Sequence, residues 1–534
     1  MQLMRSLLTA LLAFASIAVA SHDGCFSAND VYETLVISSG SASPDCVLNN
    51  KVLLVNGSFT GPTLTVYQGD KLHLTIVNEL DSMFSMHIHG ANQFGTPFSD
   101  GAAGINAIPM APKSTATRSS IMSEAGTFFY HAHFKLMDMH VYGALIVKER
   151  GEEHEDLVVV LSDYWRADLD ALHYGLLDAP SFQFVGLPNS FLTNGKSVSA
   201  NCTSPGASIT TINVKPQQTY RVRVIGGTSL FGVHFRVPQH TMTIVEIEGT
   251  KVEPKAVDYI EVLPGQRYTF LLKTDQPVDN YYMQFDGRWR AGAPTNGVSI
   301  LHYEGAPTPS ASNAPPRLPL IAETVSFNEQ FVPLTHRNVP ASTGAPLRFA
   351  GKQVAWGPSG TQRRWSMNNV TYVKQMSTSV LEVVIAQQVG ALPAASQPTT
   401  SISKGAVVDI VFENAVAING VCEMHPWHLH GHSFWVVGAG PGAYDPAAPL
   451  FKAPIRRDVV GVYPYTNAYN QPAGTNGAAC GWVQIRFVAD NIGVWPVHCH
   501  VASHFDMGMA VVLVVGENEL HDPAVVAALR AASA

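Results

Sequence analysis

The residues best suited to chemistry in this sequence are histidines gathered in four short clusters. On a β-strand, residues i and i+2 project from the same face, so a His-x-His triplet presents two imidazoles together. A buried pair of neutral imidazoles is costly unless each ring finds a partner, and a metal ion is the strongest partner available. A single pair proves little, but the clusters hold ten of the 21 histidines, which makes chance a poor explanation. The clusters are His87 and His89; His131 and His133; His425, His428 and His430; and His498, His500 and His504.

The types of ligand in the last clusters select the metal. Cys499, His504 and Met509 follow one another at intervals of five residues, and His425 can complete the set from a distant strand. One thiolate, two imidazoles and a weak axial thioether are the blue-copper pattern of electron-transfer sites. A structural zinc site would normally show more thiolates. The remaining eight histidines suit a second centre that holds several copper ions.

The position of Cys499 between two histidines indicates how the two centres connect. If Cys499 binds one copper, its neighbours His498 and His500 point to the opposite face and so to the other centre. An electron that enters at the cysteine site then has a short covalent route to the histidine cluster. A protein that only binds or stores copper would not need this connection, so the pattern favours an oxidoreductase.

The elements that position these clusters read as short strands. Residues 51–55, 72–77 and 407–412 are rich in β-branched and apolar side chains and are bounded by Gly, Asn or Asp. Helical periodicity is scarce, and the best candidate for a helix is residues 523–532. Regular turn signals between apolar runs predict an all-β protein built from sandwiches or barrels.

Changes in composition divide the chain into three blocks. A charged hinge at residues 148–156 separates the first two blocks, and a segment rich in Pro, Ser and Ala separates the last two. The predicted organisation is a signal peptide (1–20), domain 1 (22–150), domain 2 (155–304), a linker (305–319), domain 3 (320–520) and a C-terminal tail (521–534).

The composition and the N-terminus predict a secreted protein. Residues 1–20 combine Arg5, an apolar stretch and the cleavage-like ending Ala-Val-Ala, and no other run is long enough to span a bilayer. The net charge of −8, without any Lys/Arg-rich block, argues against nucleic acid as a partner. Six cysteines fit an oxidising compartment, and with Cys499 set aside as a ligand at least one of the other five stays unpaired within the chain. Asn56, Asn201 and Asn369 begin N-glycosylation triplets.

Two motifs carry a resemblance to a known family. The run from His425 to His432 (HPWHLHGH) and the run from His498 to Met509 (HCHVASHFDMGM) resemble the paired C-terminal copper signatures of the multicopper oxidases. The resemblance implies three cupredoxin-like Greek-key β-sandwich domains and four copper ions: one type 1, one type 2 and a type 3 pair. The implied ligands are His425, Cys499, His504 and Met509 for type 1; His87 and His428 for type 2; and His89, His131, His133, His430, His498 and His500 for type 3.

Within this family the sequence is most similar to plant-type ascorbate oxidases, ahead of fungal laccases. The segments GTFFYH (126–131), LSDYW (161–165) and FVADNIGVW (487–495) carry the likeness, as does Met509. The resemblance implies that Trp165 and Trp365 stack on the substrate beside His504, although both could equally be buried core or rim aromatics. It also implies that Asp100 assists proton delivery, with an ordinary turn aspartate as the alternative. Cys46 with Cys202 resembles a family disulfide, Cys422 with Cys480 is a plausible local one, and Cys25 would be left over.

Three positions depart from the family pattern. Ile88 stands where a tryptophan usually separates the first two histidines, and Ile108 replaces a cysteine of an interdomain disulfide. Ala502 stands where the family usually carries the Glu or Asp that is implicated in proton supply to the oxygen centre. We therefore expect O2 reduction to continue with Asp100 and water carrying the protons.

The expected function is one-electron oxidation of ascorbate, a hydroquinone or a phenol, coupled to reduction of O2 to water. The partners are then the small reductant and O2, and the sequence leaves the oligomeric state open. A ferroxidase needs acidic residues around the type 1 site, and the sequence alone does not place them. A copper-binding cell-wall protein of the same fold usually lacks copper ligands, whereas none is missing here. Met137, Met139 and His140 could form an extra cuprous site, but filling gaps in a core is the commoner use of methionine.

Overall fold

The computed structural model of this chain describes residues 29–152, 154–198, 202, 209–290, 292, 297–309, 330–342, 344–464 and 474–534. The predicted signal peptide, Cys25, Asn201 and residues 310–319 of the predicted linker lie outside these ranges.

The first set of strands forms two four-stranded sheets. Their orders are β2-β1-β4-β6 and β3-β8-β7-β5. In β4, every second residue is buried, with Leu72, Leu74 and Ile76 facing inward, as the alternating sequence predicts. The strands are β1 (Asp30–Ala42), β2 (Asn49–Val55), β3 (Leu64–Tyr67), β4 (Lys71–Asn78), β5 (Met86–His89), β6 (Thr115–Ile121), β7 (Gly126–Ala132) and β8 (Tyr142–Lys148).

The second set of strands forms a six-stranded and a five-stranded sheet. The strands are β9 (Asp156–Tyr164), β10 (Ser190–Thr193), β11 (Thr211–Val214), β12 (Thr219–Gly226), β13 (Gly232–Arg236), β14 (Met242–Ile247), β15 (Thr250–Val257), β16 (Ile260–Val262), β17 (Arg267–Lys273), β18 (Asn280–Arg288) and β19 (Gly297–Tyr303). The sheet orders are β10-β9-β12-β17-β14-β15 and β11-β19-β18-β13-β16.

The third set repeats this arrangement of six and five strands. The strands are β20 (Leu347–Trp356), β21 (Gln362–Met367), β22 (Thr400–Ile402), β23 (Val407–Ala415), β24 (His425–Leu429), β25 (Phe434–Gly440), β26 (Arg456–Arg457), β27 (Val459–Val462), β28 (Ala479–Val488), β29 (Gly493–Cys499) and β30 (Ala510–Val515). The sheet orders are β21-β20-β23-β28-β25-β26 and β22-β30-β29-β24-β27. Two packed sheets in each set make three cupredoxin-like units, so the predicted all-β fold is confirmed.

Helices are short and lie between or after the strands. They are α1 (Leu169–Leu177), α2 (Val380–Ile385), α3 (Ala502–Asp506), α4 (Glu517–Leu520) and α5 (Pro523–Ser533). Helix α5 confirms the helix predicted for the tail; it starts with Pro523 in its first turn, after Asp522, whose side chain caps Ala524 N–H. In the part of the chain that the structure describes, we find no helix with the length and apolar character needed to cross a membrane.

Two disulfides tie distant segments together. Cys46 is bonded to Cys202 and Cys422 to Cys480, which confirms both predicted pairings. The one free cysteine among the described residues is Cys499, which is fully buried.

Candidate metal centres

Four strands from the two ends of the chain bring the histidine clusters together. Strands β5 and β7 are antiparallel neighbours in one sheet, with His87 opposite His131. Strands β24 and β29 are antiparallel neighbours in another, with His428 opposite His498. The two strand pairs approach each other, so residues more than 300 positions apart meet in one buried cluster of eight histidines.

Nitrogen atoms converge at the centre of this cluster. The Nε2 of His428 lies 3.5 Å from the Nε2 of His87, and the Nε2 of His498 lies 3.1 Å from that of His430 and 3.4 Å from that of His133. On the other side, the Nε2 of His500 lies 3.0 Å from the Nδ1 of His89. The eight rings, all buried, are those of His87, His89, His131, His133, His428, His430, His498 and His500.

The outward nitrogen of four of the eight rings is held by a backbone carbonyl. The Nδ1 atoms of His87, His131, His428 and His498 lie 2.9 to 3.0 Å from the carbonyl oxygens of Asp100, Ala132, Asp458 and Cys499. Such a hydrogen bond places the proton on Nδ1 and leaves the Nε2 lone pair pointing into the cluster. The inward Nε2 of His131 has no hydrogen-bond partner among the described residues.

The histidine cluster binds protons weakly and is suited to binding metal ions. Burial, reinforced by neighbouring imidazoles, holds the pKa of six rings well below the usual value: His89, His131, His133, His428, His430 and His500. Burial also lowers the pKa of His498, to about 3. Neutral imidazoles whose lone pairs meet at such short distances repel one another unless a positive ion lies between them. Imidazole nitrogen is a good ligand for copper, so the residues fit the predicted multinuclear copper centre.

A second, smaller group surrounds Cys499. Its Sγ lies 3.5 Å from the Nδ1 of His425 and 3.7 Å from the Nδ1 of His504, and these two nitrogens are 3.1 Å apart. Burial raises the pKa of the Cys499 thiol, so a thiolate at this position needs a metal ion or another positive partner. One sulfur and two nitrogens form a soft donor set, which fits copper.

Met509 and Trp365 enclose the cysteine group. Met509 is fully buried just before β30, and its carbonyl accepts the Cys499 N–H at 3.1 Å. Gly351 makes room for it, because a Cβ there would lie 2.9 Å from the Met509 methyl carbon. The Trp365 ring packs 4.8 Å from His425 and 5.0 Å from His504.

Asp100 lies beside the histidine cluster, where the sequence predicted it. Its Oδ2 is 2.9 Å from the Nδ1 of His430 and accepts a hydrogen bond from Asn106 at 2.6 Å, while its Oδ1 is 3.2 Å from the Nδ1 of His87. Burial opposes ionisation, but His87 and Asn106 outweigh it and lower the pKa of Asp100. Asp100 is therefore an anion that orients two of the rings.

Sequence reasoning missed the second carboxylate of this cluster. Asp458 places its Oδ1 3.0 Å from the Nε2 of His89, and its carbonyl accepts from His428. Arg267, from β17, holds the same carboxylate through two hydrogen bonds of 2.5 Å. The only signal in the sequence is a charged run, 456–458, before an apolar strand. The role of Asp458 depends on contacts among all three sets of strands.

A cavity of about 500 Å³ opens beside His504. The Nε2 of His504 lies 3.3 Å from an Oε2 of Glu423, which forms a 2.8 Å ion pair with Arg290. Although burial raises it, the pKa of Glu423 is held well below the usual range by Arg290 and His504. One wall of the cavity is apolar and consists of Leu176, Phe182, Phe184, Leu187, Ile418 and Val421.

The two tryptophans predicted to stack on the substrate lie in different surroundings. Trp365 lines the cavity, but it is fully buried and packs on the histidines. Trp165 does not line the cavity; it is 2 % exposed, belongs to the core, and its indole N–H donates to Gly186 O. This position favours the alternative that Trp165 is a core aromatic, since its large apolar ring is buried among apolar side chains. Trp289 lines the cavity instead, which the sequence analysis did not anticipate.

The unusual segment that follows His133 is also part of the core. Met137 and Met139 are buried in two different hydrophobic clusters. The Nε2 of His140 donates to Trp165 O at 3.2 Å, and its Nδ1 accepts from Leu53 N–H at 3.4 Å. Both ring nitrogens are thus engaged, which favours core filling over an extra cuprous site. Ile88 is likewise a core residue, whereas Ile108 is 53 % exposed.

Comparison with known proteins finds one family over most of the chain. Three models described as multicopper oxidase match residues 36–152, 155–306 and 362–519. An L-ascorbate oxidase of Cucumis sativus is 31 % identical, with 89 % of this chain and 87 % of the relative covered. Laccase-3 of Arabidopsis thaliana is 30 % identical, with 87 % of this chain and 88 % of the relative covered.

Solved structures share the fold. Fet3p, described as a multicopper oxidase that functions in iron import, has a TM-score of 0.75 at 22 % identity and covers 95 % of this chain and 96 % of its own. The laccase from Botrytis aclada has a TM-score of 0.75 at 21 % identity, with 96 % and 92 % covered. On these findings the chain belongs to the multicopper oxidases, copper-dependent oxidoreductases that use O2 as the electron acceptor.

Proposed function

We propose that this protein takes single electrons from a small organic reductant, ascorbate or a hydroquinone or phenol, and reduces O2 to water. One observation carries the proposal. Cys499 lies in a sulfur-and-nitrogen site beside a cavity, while the residues on either side of it, His498 and His500, enter the buried histidine cluster. One tripeptide thus connects a donor-facing site with a multinuclear site.

The proposal assigns four copper ions to these residues. Bound copper would supply one-electron redox chemistry, with a mononuclear centre facing the donor and a trinuclear centre facing O2. The type 1 ligands are His425, Cys499, His504 and Met509, and the type 2 ligands are His87 and His428. The type 3 ligands are His89, His131, His133, His430, His498 and His500.

The chain's own residues orient the candidate copper ligands and connect the two centres. Asp100 and Asp458 orient rings of the histidine cluster before any ion binds, which reduces the reorganisation that binding requires. Electrons pass from the sulfur of Cys499 to the rings of His498 and His500 through a few covalent bonds. The two nitrogens and the sulfur of the Cys499 site are buried, and this would hold the site in one geometry when the charge of a bound copper ion changes.

The cavity beside His504 suits a small ring that carries hydroxyl groups. Arg290 and Glu423 present a donor and an acceptor near the Nε2 of His504, the edge through which an electron can leave the reductant. The apolar side chains that line the cavity can pack on the face of the ring. Trp365 holds His504 in place and does not itself meet the donor, because it is buried.

The cavity argues against Fe(II) as the donor. A ferroxidase needs free carboxylates at the electron-entry site, and the carboxylate that lines this cavity, Glu423, is already neutralised by Arg290 at 2.8 Å. A storage or cell-wall role would not require the connection through Cys499. The likeness to a laccase and to ascorbate oxidases is equally consistent with either organic donor.

We also propose that the protein is secreted. The two disulfides form and persist in an oxidising compartment. Asn56 and Asn369 lie in exposed turns where a glycan could be attached.

One set of assays tests the proposal. The purified protein should hold about four copper ions per chain, show the strong visible absorption of a copper–thiolate bond, and take up O2 with ascorbate or a hydroquinone faster than with Fe(II). Cys499→Ser should abolish the visible band and O2 uptake together. Fewer copper ions, or no O2 uptake with any of the three donors, would contradict it.

A matched pair of leucine variants tests the donor cavity. Leu187 lines the cavity and is 43 % exposed, whereas Leu450 is 50 % exposed and does not line it. Leu187→Ala should raise the KM for a substituted hydroquinone several-fold, because the variant loses up to about 2 kcal/mol of apolar contact between the side chain and the donor ring. Leu450→Ala should leave KM unchanged. Equal KM values in both variants would place donor binding elsewhere.

A further inference from the structure

A small cavity beside the histidine cluster lacks the acid that the family pattern predicts there. It has a volume of about 20 Å³, enough for one water molecule, and His131, His133, His498 and His500 line it. Ala502, at the start of α3, lines the same cavity, and its methyl group cannot carry a proton. The neighbouring Ser503 lines the donor cavity instead and so does not replace it.

Another carboxyl group reaches this cavity from a different part of the fold. Asp138 lies five residues after His133, in a single 3-10 turn from Met137 to Met139, and it lines the cavity together with Ala502. The residue as a whole is half-buried, but its Oδ1 is fully buried and has no hydrogen-bond partner among the described residues. Buried polar atoms are nearly always paired, so an unpaired one on a residue that lines this cavity indicates a role.

We propose that Asp138 is the acid that delivers protons to the oxygen-reducing cluster, in place of the carboxylate that position 502 lacks. The inference rests on the proposed function. Reduction of one O2 to two waters takes four electrons, which come from the donor, and four protons. Asp138 gives its carboxyl proton through a water in the cavity to the oxygen being reduced, becomes a carboxylate, and is protonated again from solvent.

The charges around Asp138 favour its protonated form. Burial is the largest influence and raises the pKa of Asp138 well above its usual range, and Asp506 and Asp163 raise it further. Lys374, which is bound to Asp506 at 2.6 Å, lowers the pKa by less than either aspartate raises it. A carboxyl that holds its proton near neutral pH can act as a general acid there, which an ordinary surface aspartate cannot.

One residue lines both the small cavity beside Asp138 and a larger cavity near the surface. Lys135 lines the small cavity and also a larger one, of about 300 Å³, on the outer side of the segment that carries Asp138. The larger cavity is lined by Asp168 and Asp170, whose side chains are 39 % and 58 % exposed. The Nζ of Lys135 lies 3.6 Å from the Oδ1 of Asp170, so this side chain connects the wall of the small cavity with exposed carboxylates at the surface.

Neither of the other nearby acids fits this role as well. Asp100 is engaged by His87, His430 and Asn106, and its pKa is lowered, so it is an anion that orients rings. Asp506 is ion-paired with Lys374 and does not line the small cavity.

Asp138→Asn tests the proposal, with Asp138→Asn/Ala502→Glu as a rescue and Asp490→Asn as a control. Asp490 is another aspartate whose pKa is raised, but it is exposed and lies outside the cavity. Reduction by the donor without O2 and reoxidation by O2 are timed separately by the visible absorption. Copper content and infrared spectra of the copper-free proteins are recorded for all variants.

We expect Asp138→Asn to keep its copper, its visible band and its rate of reduction by the donor. Its reoxidation by O2 should slow by about 100-fold at neutral pH, with a smaller loss at acid pH where solvent supplies protons. The double variant should recover most of the lost rate. In the copper-free protein, Asp138→Asn should remove one carboxylic-acid C=O band that Asp490→Asn leaves in place.

Reoxidation at the native rate in Asp138→Asn, or the absence of any carboxylic-acid band that this variant removes, would overturn the inference. Slow reoxidation of Asp138→Asn that Ala502→Glu does not restore would also overturn the inference. Asp138 would then affect the rate by some means other than supplying protons to this cavity. If the native protein takes up no O2, the proposed function fails. The infrared result on the copper-free protein does not depend on that outcome.

Discussion

The Nε2 of His89 lies 3.0 Å from the Oδ1 of Asp458, which joins the first histidine cluster to the third set of strands. Arg267, from the second set, donates to both oxygens of the same carboxylate. The orientation of a candidate copper ligand is thus determined by all three parts of the fold.

Asp458→Asn should weaken copper binding at the histidine cluster by about 10- to 100-fold, the usual effect of removing a carboxylate that orients a metal-binding histidine. The measurement is copper retained per chain at increasing chelator concentration. Asp409→Asn is the control, since Asp409 pairs with buried Arg486 and contacts no candidate ligand. It should lower stability but not copper retention. Equal copper loss in both variants would mean that Asp458 acts only through general stability.

Met509→Leu should raise the reduction potential of the Cys499 site while the copper–thiolate absorption persists. A thioether donates electron density that stabilises the oxidised metal, and leucine cannot donate. Leucine is close to methionine in volume, so the buried site should retain its packing. A redox titration followed by visible absorption measures the change. A shift toward lower potential, or none, would rule out the thioether as a ligand.

Replacing Cys422 and Cys480 together by alanine should lower the free energy of unfolding by about 4 kcal/mol, as the entropy of a loop of this length predicts. The two cysteines are 58 residues apart, and Cys422 adjoins Glu423 in the wall of the donor cavity. We therefore expect a change in donor KM as well. Thermal unfolding and donor kinetics give both values. The matched removal of Cys46 and Cys202, 156 residues apart, should destabilise at least as much and leave KM unaltered.

The buried histidine His140 should make stability depend on pH. Burial lowers its pKa to about 4 in the folded protein, against about 6.5 when unfolded. The unfolded chain therefore binds more protons between these values, and stability falls as the pH drops below about 6.5. His140→Gln removes this group and should reduce the stability lost between pH 7 and pH 5 by about 2 kcal/mol.

Urea unfolding of the copper-free protein at the two pH values measures this difference. His240→Gln is the control, because His240 is only half-buried and its pKa is lowered less than that of His140. An unchanged pH dependence in His140→Gln would mean that His140 is protonated in the folded protein.

Local spacing in the sequence determined which side chains lie on the same face. His87 with His89, and His498 with His500, project together because a strand has a period of two, and this requires no knowledge of the rest of the chain. The β-rich composition of residues 72–77 predicted β4, the regular turn signals between apolar runs predicted the all-β fold, and residues 523–532 were the predicted helix that α5 confirms. The domain boundaries and the assignment of individual ligands stay predictions.

Only the tertiary structure decided what surrounds those side chains. The pairing of Asp458 with Arg267, the ion pair of Arg290 with Glu423, and the approach of Asp138 to Ala502 each join residues that are far apart in the chain. Trp165 was placed in the core and Trp289 at the donor cavity for the same reason. Periodicity describes the face on which a residue lies, whereas its partner depends on how separate sheets pack, and no local pattern records that.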